Sequence, residues 1–351
     1  MPRSFVILFG LATCLACLAC HAAPVTEALQ RPALAVREPG RAVLLAAAQA
    51  GERIVAVGER GVIALSDDRG AHWRQAPSPV SVTLTMVRFA DAKNGVAVGH
   101  GGTVLSSTDG GARWTLRLDG RRAAQMAAAA ARTADEQREA ERLVADGPDK
   151  PFLDVLVWDA QRWLVVGAYG LAFRTDDGGA TWTPWMARLP NPKALHWYVA
   201  RRAGETLLLA GEQGLLAWSD DSGTSFRPLA SPYKGSWFAG ELLADGAMLL
   251  AGLRGNVWRS ADGGTQWAQI NSPVPASVNA IAVPADGRPL LATQAGVVLR
   301  LQGDQLVPLN AAAPLPMPAA LLAGPDGAVL SFGIAGALPL ATAAAKPEAT
   351  R

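Results

Sequence analysis

Cysteine is nearly absent from this 351-residue chain, and the three cysteines that occur all lie within residues 1–22. A mature chain that begins after them could form no disulfide. Histidine is also scarce, because beyond residue 22 only His72, His100 and His196 remain, and they lie far apart. Without cysteine, this spacing excludes a zinc site of the usual kind. We therefore expect no metal and no cofactor.

An excess of charge of one sign is lacking too. The chain has 32 lysines and arginines against 30 aspartates and glutamates, and no basic run or stripe occurs. Proteins that bind nucleic acids usually concentrate basic residues on one face. The sequence therefore predicts no nucleic-acid partner.

Long hydrophobic runs are missing except at the start of the chain. Residues 1–22 read MPRSFVILFGLATCLACLACHA, with one early arginine followed by an apolar run that is short for a bilayer span. This is the pattern of a secretory signal peptide, so we expect export to the periplasm or another compartment outside the cytoplasm, with cleavage after Ala22. Cleavage before Cys20 with lipid attachment is the alternative. Membrane association would then be peripheral, or by a lipid anchor at most.

A short acidic motif, Ser/Thr-x-Asp-x-Gly-x-x-aromatic, occurs five times. The copies are SDDRGAHW from Ser66, STDGGARW from Ser107, TDDGGATW from Thr175, SDDSGTSF from Ser219 and SADGGTQW from Ser260. They recur at about 41 residues, apart from one longer interval. Because a catalytic loop occurs once and a structural one recurs, the repetition favours a scaffold.

A second motif precedes each acidic motif and continues beyond the last one. It reads VGERG at 57, VGHGG at 98, VGAYG at 166, AGEQG at 210, AGLRG at 251, ATQAG at 292 and FGIAG at 332. Each unit contains four short apolar runs separated by turns, which predicts four antiparallel strands. The sequence therefore predicts an all-β fold, a seven-bladed β-propeller over residues 41–340. Residues 23–40 could supply a ring-closing strand, and residues 341–351 are predicted to be a disordered tail.

The acidic motif would form the turn between the third and fourth strands of a blade. Its hydroxyl and carboxylate can accept hydrogen bonds from backbone N–H groups, its glycine takes a strained conformation, and its aromatic residue packs into the blade. We assign this structural role to Ser66, Asp68, Gly70 and Trp73, to Ser107, Asp109, Gly111 and Trp114, to Thr175, Asp177, Gly179 and Trp182, to Ser219, Asp221, Gly223 and Phe226, and to Ser260, Asp262, Gly264 and Trp267.

The longer interval contains an insertion at 120–150. This segment is rich in alanine and charge, with no glycine or proline from Arg121 to Asp146, which predicts a helix. Met126, Leu143 and Val144 give it only a thin apolar stripe. The helix is therefore either a solvated excursion or an element that docks on a partner.

Turns between second and third strands share one face of a propeller with the connections between blades, and the acidic turns lie on the opposite face. We predict that a protein partner binds the first of these faces, through Arg60, Glu212, Arg254 and the 120–150 helix. Four aromatic residues, Trp197, Tyr198, Trp237 and Phe238, lie near the inner ends of the connecting loops. They are either core residues or the border of a ligand-binding mouth.

The two motifs at this spacing, behind a signal peptide, resemble the bacterial neuraminidase, or Asp-box, repeat proteins. Residues 87–114, VRFADAKNGVAVGHGGTVLSSTDGGARW, are more similar to a blade of the photosystem II assembly and stability factor family and its bacterial relatives. The resemblance implies an accessory propeller that docks on membrane-protein partners of the cell envelope, without catalysis.

Sialidases also carry the acidic turn, but they need three arginines, a tyrosine nucleophile paired with a glutamate, and an acid carboxylate. Here Tyr169 lies inside a Gly-x-x-Gly turn and Tyr233 in a proline loop. We therefore expect that the protein is not an enzyme. A sialidase-like glycoside hydrolase and a carbohydrate-binding lectin are the alternatives. The first would need carboxylates and a tyrosine converging at the channel mouth, and the second exposed aromatic platforms there.

Overall fold

The computed structural model describes residues 27–310 and 313–340. They form seven antiparallel sheets, six of four strands and a last one of three. This confirms the seven-bladed propeller expected from the repeats. The predicted signal peptide at 1–22, residues 23–26 and the predicted tail at 341–351 lie outside the described residues.

In the first four blades, strands that are consecutive in the chain are neighbours in the sheet. Blade one contains β1 (Leu44–Ala50), β2 (Arg53–Gly58), β3 (Ile63–Ser66) and β4 (Arg74–Ala76). Blade two contains β5 (Leu84–Phe89), β6 (Gly95–Gly99), β7 (Thr103–Ser107) and β8 (Thr115–Leu118). Blade three contains β9 (Phe152–Val157), β10 (Trp163–Gly167), β11 (Ala172–Thr175) and β12 (Thr183–Pro184). Blade four contains β13 (Trp197–Ala203), β14 (Thr206–Gly211), β15 (Leu216–Ser219) and β16 (Arg227–Pro228).

The remaining blades follow the same order. Blade five contains β17 (Trp237–Leu242), β18 (Met248–Gly252), β19 (Val257–Ser260) and β20 (Ala268–Ile270). Blade six contains β21 (Val278–Ala282), β22 (Leu290–Thr293), β23 (Val298–Gln302) and β24 (Gln305–Pro308). Blade seven contains β25 (Pro318–Ala323), β26 (Val329–Gly333) and β27 (Gly336–Pro339).

The hydrophobic core is divided into clusters that lie between neighbouring blades. Every residue of the second strands β6, β10 and β18 is buried, because each blade covers a face of the next. Trp197 belongs to the cluster between blades three and four, and Trp237 to the cluster between blades four and five. Both are fully buried. The stacking of blades, and not a single central core, therefore stabilises the ring.

In blades one to five, the turn between the second and third strands is a tight 3-10 turn with a left-handed residue at its centre. That residue is Arg60 in blade one, with φ of 55°, and Arg254 in blade five, with φ of 58°. The glycine that follows is required by space as well as by φ. A Cβ on Gly61 would lie 2.1 Å from the carbonyl oxygen of Val80, in the connection to blade two. The Gly-x-x-Gly motif thus lets each connection cross close over the preceding turn.

The N-terminal segment does not complete blade seven. In its described part, residues 27–40 form no strand, and they instead cross the connections of blades one and two. The carbonyl oxygen of Ala28 accepts a hydrogen bond from the N–H of Ser81 at 2.8 Å, and the N–H of Ala33 donates to the carbonyl oxygen of Ser78 at 3.1 Å. The ring closes by packing between β1 and β25. We name residues 27–38 the N-terminal strap.

The insertion forms two helices where the sequence predicted one. They are α1 (Gly120–Ala130) and α2 (Ala134–Asp146). The break follows from Thr133, whose side chain accepts from the N–H of Glu136, while the Glu136 carboxylate accepts from the N–H of Thr133. This capping box starts a new helix.

The helical hairpin packs on the propeller itself. Small side chains, Ala123, Ala124, Ala127 and Ala140, are buried together with Leu143. They share a cluster with aromatic residues of blade three. The hairpin is thus not a solvated excursion, because its small alanine side chains let the helices pack closely on blade three. That it also contacts a partner stays a prediction. No helix among the described residues is long and apolar enough to cross a membrane.

Candidate functional site

The five acidic turns share one hydrogen-bond pattern. The leading Ser or Thr hydroxyl accepts from the N–H of the glycine four residues later, at 2.7 to 3.0 Å. The same hydroxyl donates to the aspartate Oδ1. That Oδ1 accepts from the backbone N–H four residues beyond the aspartate. In the four turns with tryptophan, the indole N–H donates to the glycine carbonyl.

These bonds occupy the carboxylates within the turns. The backbone N–H of His72 is the main reason that the pKa of Asp68 falls to about 2, and the N–H of Ser225 does the same for Asp221. The five aspartates lie on five separate blades and do not converge. No group of three metal-ligating side chains lies close together in the described part of the chain.

The three predicted partner residues are not brought together. Arg60 and Arg254 are exposed on turns of blades one and five, with blades six and seven between them. Glu212, on blade four, is held by its own neighbour. Its carboxylate Oε2 lies 3.2 Å from Nδ1 of His196 and accepts from the His196 backbone N–H at 3.2 Å. Arg60 therefore belongs to no common site with the other two.

Blades three to five instead bring four rings into a row, which we name the aromatic track. The ring centroids of Tyr169 and His196 are 4.8 Å apart, those of His196 and Tyr198 are 5.9 Å apart, and those of Tyr198 and Phe238 are 5.4 Å apart. Tyr169 remains 50% exposed, at the outer end. Such faces can hold apolar or cationic groups of a ligand.

Strand alternation explains which aromatic residues join the track. Trp197 and Trp237 begin their strands facing the blade interfaces, so they are core residues. The next residues, Tyr198 and Phe238, point the other way and line the central channel. Burial raises the pKa of the Tyr198 hydroxyl, and the charge of Glu212 adds to the effect. Trp197 and Trp237 are therefore core residues, and Tyr198 and Phe238 line the channel. That the channel mouth binds a ligand stays a prediction.

The central channel encloses about 530 Å³ and is lined by the first strand of each blade. Its two halves differ. Blades six, seven and one line it mostly with alanine, whereas blades two to five contribute Arg88, Arg201 and Glu241. The fully buried Asp154 joins these side chains. We name Arg88, Asp154, Arg201 and Glu241 the arginine–carboxylate network.

Every carboxylate of this network has an arginine partner. Asp154 Oδ1 accepts from Nε and Nη2 of Arg88 at 3.1 and 3.0 Å, and Oδ2 accepts from Nη1 of Arg201 at 2.6 Å. Arg201 Nε donates to Glu241 at 2.7 Å. Burial alone would raise the pKa of Asp154, but the charges of Arg88 and Arg201 outweigh it and the pKa is lowered. The network joins four consecutive blades.

The outer end of the track opens into a second cavity, which we name the hairpin groove. It encloses about 540 Å³ between the helical hairpin and the connection from blade three to blade four, and Tyr169 lines it. The channel mouth, the track and the groove therefore form one continuous surface on the Gly-x-x-Gly face. Lys150 approaches the Tyr169 ring, with its Nζ 5.4 Å from the centroid.

No protein-family model matches the sequence, and no curated protein matches it. Solved structures do share its fold. A structure of YCF48 bound to a D1 peptide is 16% identical with a TM-score of 0.64, over 88% of this chain and 97% of that chain. YCF48 from Cyanidioschyzon merolae is 14% identical with a TM-score of 0.62, over 87% and 97%. A streptogramin B lyase is 12% identical with a TM-score of 0.64, over 89% and 98%. Identities this low show the fold alone.

The comparisons support one part of the resemblance and correct one expectation. Two of these neighbours are structures of YCF48, and the shared propeller fold is the part of the resemblance that they support. Membership of the Asp-box repeat proteins is not confirmed. The expectation that the protein is not an enzyme is wrong as drawn, because a lyase has the same architecture. Neither this fold nor the lack of a sialidase motif excludes catalysis.

Proposed function

We propose that this protein binds an extended segment of a protein partner on its Gly-x-x-Gly face, with the aromatic track as the main contact. The observation that carries the proposal is the continuity of the four rings, from Phe238 at the channel mouth to the half-exposed Tyr169 at the hairpin groove. Aromatic side chains supply much of the binding energy of protein interfaces at a low entropic cost. The rigid blades hold these rings in place before a partner arrives.

The partner that fits best is a membrane protein or membrane complex of the cell envelope, which the propeller would assist in assembly or stability. Three considerations support this. The predicted signal peptide would place the protein outside the cytoplasm. The sequence resembles assembly and stability factors. A structural neighbour, YCF48, has a D1 peptide bound. The contacts of the N-terminal strap are with blade one, with the connection to blade two and, through Glu27, with Arg121 of α1, so they lie away from the four rings of the aromatic track.

The proposal can be tested without knowing the partner. The purified wild-type protein is used to select from a random 12-residue peptide library displayed on phage, and the dissociation constants of selected peptides are measured by fluorescence anisotropy. We expect Tyr169→Ala and Phe238→Ala to weaken binding by about 2 kcal/mol, or roughly thirty-fold. Val307→Ala removes an exposed apolar residue from β24, far from the track, and should change nothing. Equal affinity of both track variants and wild type would exclude the track as the contact.

Carbohydrate binding is a second candidate, because the partly exposed rings of Tyr198 and Phe238 line the channel at its mouth, where a lectin would hold a sugar. A glycan array separates the two functions. A sugar that binds wild type but not Phe238→Ala, together with no enriched peptide, would favour the lectin.

A further inference from the structure

The hairpin groove has an apolar floor and an acidic rim. Met186, Leu189 and Pro190, from the connection between blades three and four, provide the floor together with the exposed end of α1 at Ala130. The rim comes from α2, which places Asp135, Glu136 and Glu139 along the opening. Among the described residues that line the groove there is no lysine or arginine. The groove is therefore complementary to a group with an apolar body and a positive end.

The rim carboxylates are available to a ligand at little cost. Asp135 pairs with Arg138 and Glu139 with Arg142, each within one turn of α2, and both pairs are solvent-exposed. Exposed ion pairs of this kind contribute only ~0.2–1 kcal/mol, so a cation in the groove can replace either arginine. Glu136 differs, because its carboxylate accepts from the backbone N–H groups of Arg132 and Thr133 and caps the helix.

The start of the helix accounts for two of the three rim carboxylates. Asp135 and Glu136 lie in the first turn of α2, where negative charge favours a helix by itself. Glu139 lies in the second turn, where this effect is weaker, and still faces the groove. Glu139 pairs with Arg142 at 2.7 Å and adds a third carboxylate to the rim, beyond the two at the start of the helix.

We infer that the hairpin groove receives a lysine or arginine side chain of the bound partner segment, at the outer end of the aromatic track. Long basic side chains bury their methylene stems on apolar surface while the charged end stays at a polar rim, which is the arrangement the groove offers. The inference rests on the proposed function, since the segment must first lie on the track. It adds a specificity: the segment carries a basic residue where it passes Tyr169.

The wall of the hairpin groove that α1 and α2 provide is already fixed before a ligand binds. Ala127 and Ala140 pack into the same cluster as Phe173 and Trp182 of blade three, so the hairpin is held by buried contacts. A basic side chain would enter an existing space and would not need to order the hairpin. This lowers the entropic cost of binding.

The test repeats the peptide selection with three proteins: wild type, the double variant Asp135→Asn/Glu139→Gln, and Glu141→Gln. Glu141 is an exposed carboxylate of α2 that does not line the groove, so it is the matched control. We expect wild type to enrich peptides with a lysine or arginine next to apolar residues. The double variant should bind these peptides roughly three- to ten-fold more weakly, and Glu141→Gln like wild type. Raising the salt concentration should remove most of the difference.

Ala130→Trp provides a variant that fills the groove and leaves every charge in place, and it should weaken the same peptides while circular dichroism shows unchanged helix content. Enriched peptides without basic residues, or equal affinity of wild type and the double variant, would overturn the inference. If Tyr169→Ala still weakens those peptides, the proposed function survives that result. If no peptide is enriched at all, the proposed function fails, and the inference with it.

Discussion

Replacement of Asp154 by alanine should destabilise the protein strongly, although no motif marks this residue. Asp154 is fully buried and accepts six hydrogen bonds, three from Arg88, one from Arg201 and one each from the backbone N–H groups of Val155 and Ala200. Its removal leaves Arg201, only 14% exposed, with Glu241 as its remaining carboxylate. Breaking a buried pair by removing one partner costs about 3–5 kcal/mol. We expect a loss in that range.

Urea unfolding followed by tryptophan fluorescence measures this loss, since urea does not screen charges as guanidinium salts do. Asp176→Ala is the control, because Asp176 also pairs with an arginine, Arg174 at 2.9 Å, but is 60% exposed. The control should lose no more than about 1 kcal/mol. Because the network joins blades two to five, Asp154→Ala should also broaden the transition. If Asp154→Ala lowers the free energy of unfolding by less than about 1 kcal/mol, the arginine–carboxylate network does not stabilise the propeller as inferred.

Three further predictions concern the turns and the closure of the ring. Trp182→Ala should lower the free energy of unfolding by about 3–5 kcal/mol, and Trp267→Ala by less, because Trp182 is buried and Trp267 only partly. Asp221 has a pKa of about 2 in the folded state against about 3.9 unfolded, so the stability it provides is present above pH 4 and is lost as the pH falls through 2. Asp221→Asn should therefore flatten the pH dependence of thermal unfolding over that window. Gly336→Ala would place a Cβ 2.1 Å from the carbonyl oxygen of Gly40, at the contact between blades seven and one, whereas Gly263→Ala meets nothing within 4 Å. Both glycines have positive φ, so Gly263→Ala should cost about 1–2 kcal/mol and Gly336→Ala clearly more in calorimetry.

The propeller could be predicted from the sequence because its units repeat. Each Gly-x-x-Gly turn and each acidic turn satisfies the same local geometry, so the same residue types recur at the same spacing. Blade seven has three strands in the described part of the chain, and FGIAG is followed by no acidic motif. Blade six also lacks the acidic motif but has its fourth strand, β24, so the absence of the motif does not predict the strand count. What residues 27–40 do was harder to predict, because the strap is held by backbone hydrogen bonds to Ser78 and Ser81 that leave no pattern in side-chain types.

The candidate site could be predicted only in outline. Turn placement predicts a face, but it does not predict which turn residues share a site, and blade order separates Arg60 from Arg254. The aromatic track depends on which strand residue faces the channel, and that register is set by pairing across the blade. The network around Asp154 joins residues far apart in sequence, so no local motif could reveal it. The break at Thr133 did have a signal, the Thr-x-x-Glu of a capping box.

The route of the N-terminal strap has a consequence for how a lipid-anchored form of the protein would be oriented at a membrane. The strap passes over the connections of blades one and two and ends, at Glu27, beside Arg121 of α1. The helical hairpin begins at this edge of the propeller, next to the aromatic track. Cys20, the alternative point of lipid attachment, is separated from Glu27 by no more than about 25 Å of extended chain. A lipid attached to Cys20 would keep this edge of the propeller close to the bilayer. The aromatic track would then face polypeptide segments that emerge from the membrane.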